Sequence, residues 1–162
     1  MKLLFICTHN RCRSILAEAI SNHVGGGRIT AVSAGSSPQG QVHPLSLKYL
    51  DEHQVPTDGL CSQSWNEFES FNPDAVLTLC ASAAKESCPI WFGDSVQVFW
   101  GLTDPSKIDP SVAGTDDAQR ASFNNTIDIL TRRINALLES DMASLHGDLL
   151  KNKLEQIATE IH

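Results

Sequence analysis

The segment Asp74–Leu79, Asp-Ala-Val-Leu-Thr-Leu, limits the fold more than any other part of the chain. As a strand it is apolar on both sides of the period-two alternation. It must therefore be covered on both faces, as strands inside a parallel sheet are. Lys2–Ile6 is a short apolar run long enough only for another buried strand. Ile29–Ser33 and Val96–Trp100 read as two more. A helix is expected from about Ser14 to His23, with Leu16, Ala19, Ile20 and His23 on one face and Gly25-Gly26-Gly27 as its stop. His43-Pro44 opens a second helix that reaches about Gln54, with Leu47 and Leu50 inward. Asp116–Glu139 carries Phe123, Ile127, Leu130, Ile134 and Leu137 at helical spacing. The alternation predicts an α/β fold: a four-stranded parallel sheet with helices on both faces. Residues 1–139 are expected to form this domain. Residues 140–162 read as a C-terminal helical extension, with a stripe of Leu150, Leu154, Ile157 and Ile161 joined through the polar stretch Ser140–His146.

A chain of 162 residues is one domain's worth and can bury a core without staples. Its net charge of −7 gives no general basic footprint, so nucleic acid is not an expected partner. An anion must be gripped locally, against the overall field. Five cysteines are an odd count and argue against a secreted disulfide framework. The apolar run before Cys7 is too short for a signal peptide, Arg11 and Arg13 follow at once, and no stretch reaches transmembrane length. A cytoplasmic monomer with reduced thiols and no membrane contact is expected.

Cys7-Thr8-His9-Asn10-Arg11-Cys12-Arg13-Ser14 places the pattern C-x5-R-S between the first strand and the first helix. A tight loop entering a helix turns backbone N–H groups inward, and the helix dipole adds positive potential at the same place. A tetrahedral oxyanion fits there, and Arg13 can clamp two of its oxygens. The same field favours a thiolate at Cys7, and Ser14 can donate a hydrogen bond to it. One loop thus offers nucleophile, anion cradle and charge clamp. The bare pattern is weak, and its position at a strand-to-helix turn is what gives it force. The plainer alternative is that Cys7 is a buried strand-end thiol.

Ligands of parallel sheets bind beyond the carboxyl ends of the strands. Cys7 follows the first strand, Cys80 the third, and Asp104-Pro105 the fourth, so all three are expected at one edge. Asp104 suits a general acid, although an Asp before a proline is also a common turn former. Cys80 and Cys88 bound a segment of small and polar residues that lets two thiols approach or separate, as sequential thiol–disulfide exchange requires. A zinc site is the competing reading, but the cysteines lack C-x2-C spacing and a nearby His pair. No metal or other cofactor is expected. Cys12 is read as packing beneath the cradle, and Cys61 as a bystander.

With these residues placed, the chain resembles the low-molecular-weight protein tyrosine phosphatase family, and within it the thioredoxin-coupled arsenate reductases. The likeness rests on Cys7-x5-Arg13-Ser14, Val32-Ser33-Ala34-Gly35, Val76-Leu77-Thr78-Leu79-Cys80, Cys88-Pro89-Ile90 and Trp100-Gly101 leading to Asp104-Pro105. It implies that arsenate is held by the loop from Thr8 to Ser14 (Thr8, His9, Asn10, Arg11, Cys12, Arg13, Ser14) and attacked by Cys7, with Asp104 protonating the departing oxygen. Cys80 would then attack Cys7 and release arsenite, and Cys88 would attack Cys80. The resulting Cys80–Cys88 disulfide would pass to thioredoxin, or to glutaredoxin with glutathione. The phosphatase branch usually carries aromatic residues after its Asp-Pro, where this chain has Ser106-Lys107. A phosphatase acting on phosphotyrosine or phosphoarginine remains the alternative, and a non-enzymatic oxyanion sensor is a third reading. Asn10, Glu18 and Ser33 match a potassium site of some relatives. Ser62 and Ser64 stand where those relatives offer a threonine and a carboxylate, so tight cation binding is not expected.

Overall fold

Four strands, β1 (Lys2–Ile6), β2 (Thr30–Ala34), β3 (Ala75–Thr78) and β4 (Val96–Phe99), form a parallel sheet in the order β2-β1-β3-β4. The structure is a computed structural model that describes residues 1–86, 89–93, 95–108 and 114–162. β1 and β3 are the inner strands, as their two-sided apolar runs require. Phe5 stands beside Leu77, and Leu77 beside Val98, across the sheet. β1 is followed on one side by β2 and on the other by β3, so the chain changes direction at the carboxyl end of β1. Crevices at such a switch point are where parallel sheets bind ligands.

One face of the sheet carries α1 (Arg13–Gly25), α2 (Pro44–Glu52), α3 (Thr115–Leu138) and α4 (Gly147–Glu160). Leu3, Phe5, Leu77, Val98 and Trp100 meet Leu16, Ile20, Phe123, Leu130 and Ile134 there. Leu4, Ile6 and Val76 point to the other face, where Ala83, Phe92, Trp65 and Phe68 cover them. These come from the 3₁₀ turns Trp65–Phe68, Ala83–Lys85 and Ile90–Phe92. Helical elements therefore cover both faces, but on the second they are single turns. Sequence periodicity does not register turns this short, because they make barely one repeat.

Two inward assignments change. His23, expected on the inner face of α1, is exposed. Asn22 takes the position facing β2, its side chain exchanging two hydrogen bonds with the backbone of Ala31 (2.8 and 2.9 Å). In α2 it is Tyr49, not Leu47, that joins Leu50 in the core, with its ring 4.9 Å from that of Phe123.

Residues 140–146 reverse the chain, and α4 lies against β4 and α3. Leu150, Leu154 and Ile157 are buried in the main core, each contributing about 1.5–3 kcal/mol by area. None of the described helices is long and apolar enough to cross a membrane.

Candidate active site

Residues Cys7–Cys12 form the turn between β1 and α1, and their carbonyls are drawn outward. Thr8 O accepts from Ser37 N (2.9 Å), His9 O from Gln39 N (3.2 Å) and Ser62 Oγ (3.2 Å), and Arg11 O from His43 N (3.0 Å) and Ser46 Oγ (3.3 Å). With the carbonyls committed outward, the N–H groups face the other way. Among the described residues no acceptor serves the backbone N–H of His9, Asn10, Arg11 or Cys12. The first turn of α1 has no side-chain cap, so its free N–H groups add to the same concavity.

Asn10 is the buried keystone of the loop. Its backbone is left-handed (φ 46°), a conformation asparagine tolerates better than most residues. Its amide donates to Ser14 Oγ and Ser33 Oγ (both 2.9 Å), and its Oδ1 accepts from Gln63 N (2.8 Å). Because Ser14 Oγ accepts from Asn10, its own proton is free to go to Cys7 Sγ, 3.1 Å away. By the same logic Ser33 donates to Glu18 Oε2 at 2.5 Å. Burial pushes the Glu18 carboxyl up to about 6, with the Ser33 hydrogen bonds opposing it. Ser62 turns to His9 O, and Ser64 caps the Trp65–Phe68 turn. Among the described residues Glu18 is thus the one carboxylate hydrogen-bonded into the group of Asn10, Ser33, Ser62 and Ser64.

Cys7, Thr8, His9, Arg11, Cys12 and Arg13 line one cavity of about 220 Å³, together with Asp104. Asn10 and Ser14 lie beneath it, fully buried. Two larger clefts of about 420 Å³ lie at the opposite, amino-terminal end of the strands, and no cysteine lines either. Burial pushes the Cys12 thiol up to about 12, against a hydrogen bond with Ser46, so it stays protonated and packs under the loop.

Arg13 reaches Leu102 O with Nη1 (3.0 Å) and Asp104 Oδ2 with Nη2 (3.2 Å). Its Nε is buried without a hydrogen-bond partner among the described residues. A buried donor left so costs about 1–3 kcal/mol, which an oxyanion in the cavity would recover. Burial alone would raise the Asp104 carboxyl. Ser106, Arg13 and Lys107 outweigh it and hold the group below the usual carboxylate range.

Cys80 follows β3 and lies against the loop, its Sγ 3.4 Å from Thr8 N and 3.5 Å from Thr8 Oγ1. Burial works against its thiolate, but hydrogen bonds from Thr8, Ala83 and Ser82 prevail and lower the thiol below its ordinary value. Cys88 lies outside the described residues. Cys61 is exposed and is not among the residues lining the cavity.

A family model described as low molecular weight phosphotyrosine protein phosphatase matches residues 2–153. The chain belongs to that family. An arsenate reductase of Halalkalibacterium halodurans is 31% identical over 138 residues, covering 85% of this chain and 95% of the relative. A glutaredoxin arsenate reductase of Synechocystis is 30% identical over 104 residues, covering 64% of this chain and 78% of the relative. Among solved structures, a thioredoxin-dependent arsenate reductase of Corynebacterium glutamicum superposes with a TM-score of 0.65 at 27% identity, covering 88% of this chain and 62% of that one. The loop from Cys7 to Ser14 is the part of the site most legible in the sequence.

The sequence pattern does not reveal the rest of the rim. His43 reads as a helix-start residue and does cap α2, its Nδ1 accepting from Leu45 N (3.2 Å). It also lines the cavity, and burial, with Arg11 adding to it, lowers its pKa. Ser106 fixes Asp104 through its N–H (3.1 Å) and Oγ (2.6 Å), an Asx-turn that an Asp-Pro-Ser triplet signals in retrospect.

Proposed function

We propose that this chain reduces arsenate to arsenite and carries the resulting oxidation along Cys7, Cys80 and Cys88. The observation that carries the reading is Cys80: a second thiol, biased toward thiolate, held against Thr8 of the oxyanion loop. Hydrolysis of a phosphate ester needs no such group. The 31%-identical relative named as an arsenate reductase supports the same chemistry.

Arsenate binds through the loop N–H groups and Arg13 Nε. Its negative charge competes with Asp104 for the guanidinium and raises the Asp104 carboxyl, which can then hold a proton. The Cys7 thiolate attacks arsenic, a hydroxyl leaves as water with the proton from Asp104, and a Cys7 sulfur–arsenic bond forms. The Cys80 thiolate then attacks Cys7 Sγ. The sulfur–arsenic bond breaks with its electron pair going to arsenic, which leaves as arsenite, and a Cys7–Cys80 disulfide remains. Cys88 attacks Cys80, freeing Cys7 and forming a Cys80–Cys88 disulfide. A dithiol reductant, thioredoxin or alternatively glutaredoxin with glutathione, returns both to thiols. The reading places the enzyme in the cytoplasm, where such reductants work, as a monomer.

The test is steady-state turnover of arsenate and of an aryl phosphate, each with thioredoxin and with glutaredoxin–glutathione recycling. Arsenite formation that depends on one of these systems is expected. Aryl phosphate hydrolysis alone would replace this reading with the phosphatase.

A further inference from the structure

Arg133 of α3 is 2% exposed, and no carboxylate pairs with it among the described residues. A buried cation without an anion is costly, and here carbonyl groups compensate it. Nη1 donates to Trp100 O (2.8 Å), Nε to Ile161 O (2.9 Å) and Nη2 to Ala158 O (3.5 Å). The last two acceptors belong to the end of α4, where helix carbonyls are unpaired and the dipole is negative. The guanidinium also lies 5.4 Å from the centre of the Trp100 ring.

Trp100 is the residue at which β4 passes into the loop carrying Asp104. It is fully buried and held on several sides. Its N–H donates to Thr78 O (2.8 Å), its indole N–H to Leu154 O of α4 (2.9 Å), and its carbonyl is the one Arg133 holds. Two residues on, Leu102 N donates to Leu79 O (3.0 Å), and Leu102 O receives Arg13 Nη1 (3.0 Å). Asp104 follows, on Arg13 Nη2. A continuous set of contacts thus runs from α4 through Arg133 and Trp100 to both Arg13 and Asp104. The family model ends at residue 153, so Leu154, Ala158 and Ile161, which supply the α4 acceptors, lie beyond it.

We propose that Arg133, anchored by the carboxyl end of α4, is a positioning residue for the Asp104 loop, so that α4 serves the chemistry as well as the core. The inference rests on Asp104 acting as the general acid. Without Arg133 the Trp100 carbonyl loses its buried donor, and the turn from Trp100 to Asp104 is free to shift. Misplacing a catalytic group by about 1 Å costs on the order of 10²-fold in rate.

The experiment is a double-mutant cycle between Arg133 and Asp104, read as the single-turnover rate of arsenite release from fully reduced protein. Arg133→Met should slow release roughly 10- to 100-fold. The half-saturating arsenate concentration should move by less than about threefold, since the loop amides and Arg13 Nε still bind the anion. Arg133→Lys, which keeps a cationic donor group on a single nitrogen, should recover part of the rate. In an Asp104→Asn background the Arg133→Met change should cost less than about twofold, because the group it positions is already gone. Equal costs in both backgrounds, or no cost in either, would overturn the positioning role while leaving Asp104 as the acid. An Asp104→Asn variant as fast as the parent would remove the acid reading, and this inference with it. If Arg133→Met does not fold, Trp100→Phe takes its place in the cycle, removing the indole N–H to Leu154 O together with part of the ring that Arg133 and Phe5 contact, and the same outcomes decide.

Discussion

Gly35→Ala tests whether the anion cradle depends on close backbone approach. Gly35 follows β2 and touches the loop from outside. A Cβ at this position would lie 2.6 Å from Thr8 O, 3.1 Å from Asn10 Cβ and 3.2 Å from Asn10 N. Neither side can swing away. Gly35 is tied to Gln63 O (2.9 Å) and Trp65 N (3.1 Å), and Thr8 O to Ser37 N (2.9 Å). Relieving the contact with Thr8 O needs a separation of about 0.5 Å between backbone segments, judged from ordinary non-bonded distances. Overpacking of this kind costs about 1–3 kcal/mol, and at this chain length each kcal/mol lowers Tm by about 2–4 °C. The same shift displaces Thr8 and Asn10, and with them the donors of the cradle. If about 1 Å costs on the order of 10²-fold, half of that costs about tenfold. The assays are single-turnover arsenite release and thermal unfolding of the reduced protein. A variant with the parent's rate and Tm would show that the cradle is not held by this contact, and the account of the loop would be wrong.

Three further outcomes are expected. Glu18 has a folded pKa of about 6 against 4.5 for the free group, so the stability present below about 4.5 is lost as pH rises through about 6. Glu18→Gln should remove that loss, stabilising the protein by up to about 2 kcal/mol near pH 7.5 and very little near pH 4.5; urea unfolding with the same pH response in parent and variant would contradict the burial argument. Cys7→Ser should fold normally yet release no arsenite, because a serine hydroxyl is far harder to ionise than a thiol, and turnover by that variant would end the proposed mechanism. Cys80→Ser should stop before any disulfide forms, whereas Cys88→Ser should release arsenite once and stall as a Cys7–Cys80 disulfide; mass mapping after one turnover checks this, and a Cys7–Cys88 bond in the parent would reverse the order.

Some of this protein was legible in the chain itself because the determinants are local. Two-sided apolar runs at Lys2–Ile6 and Asp74–Leu79 must become inner parallel strands. A strand running into C-x5-R-S and then a helix can form an oxyanion turn from its own backbone. Counting strand ends was enough to bring Cys7, Cys80 and Asp104 to one edge, since parallel strands all end on the same side. Other features depend on residues that meet only when the chain is folded. His43 lines the cavity because the Arg11 carbonyl anchors its backbone, and Ser14 can serve Cys7 because Asn10, pinned by Gln63, supplies the other hydrogen bond. Single 3₁₀ turns cover the second face without leaving a periodic signature. The reach of α4 into the Asp104 loop, through a buried arginine whose partners are carbonyls, has no local pattern at all. A carbonyl is present at every position, and only tertiary packing decides which one a buried cation will find.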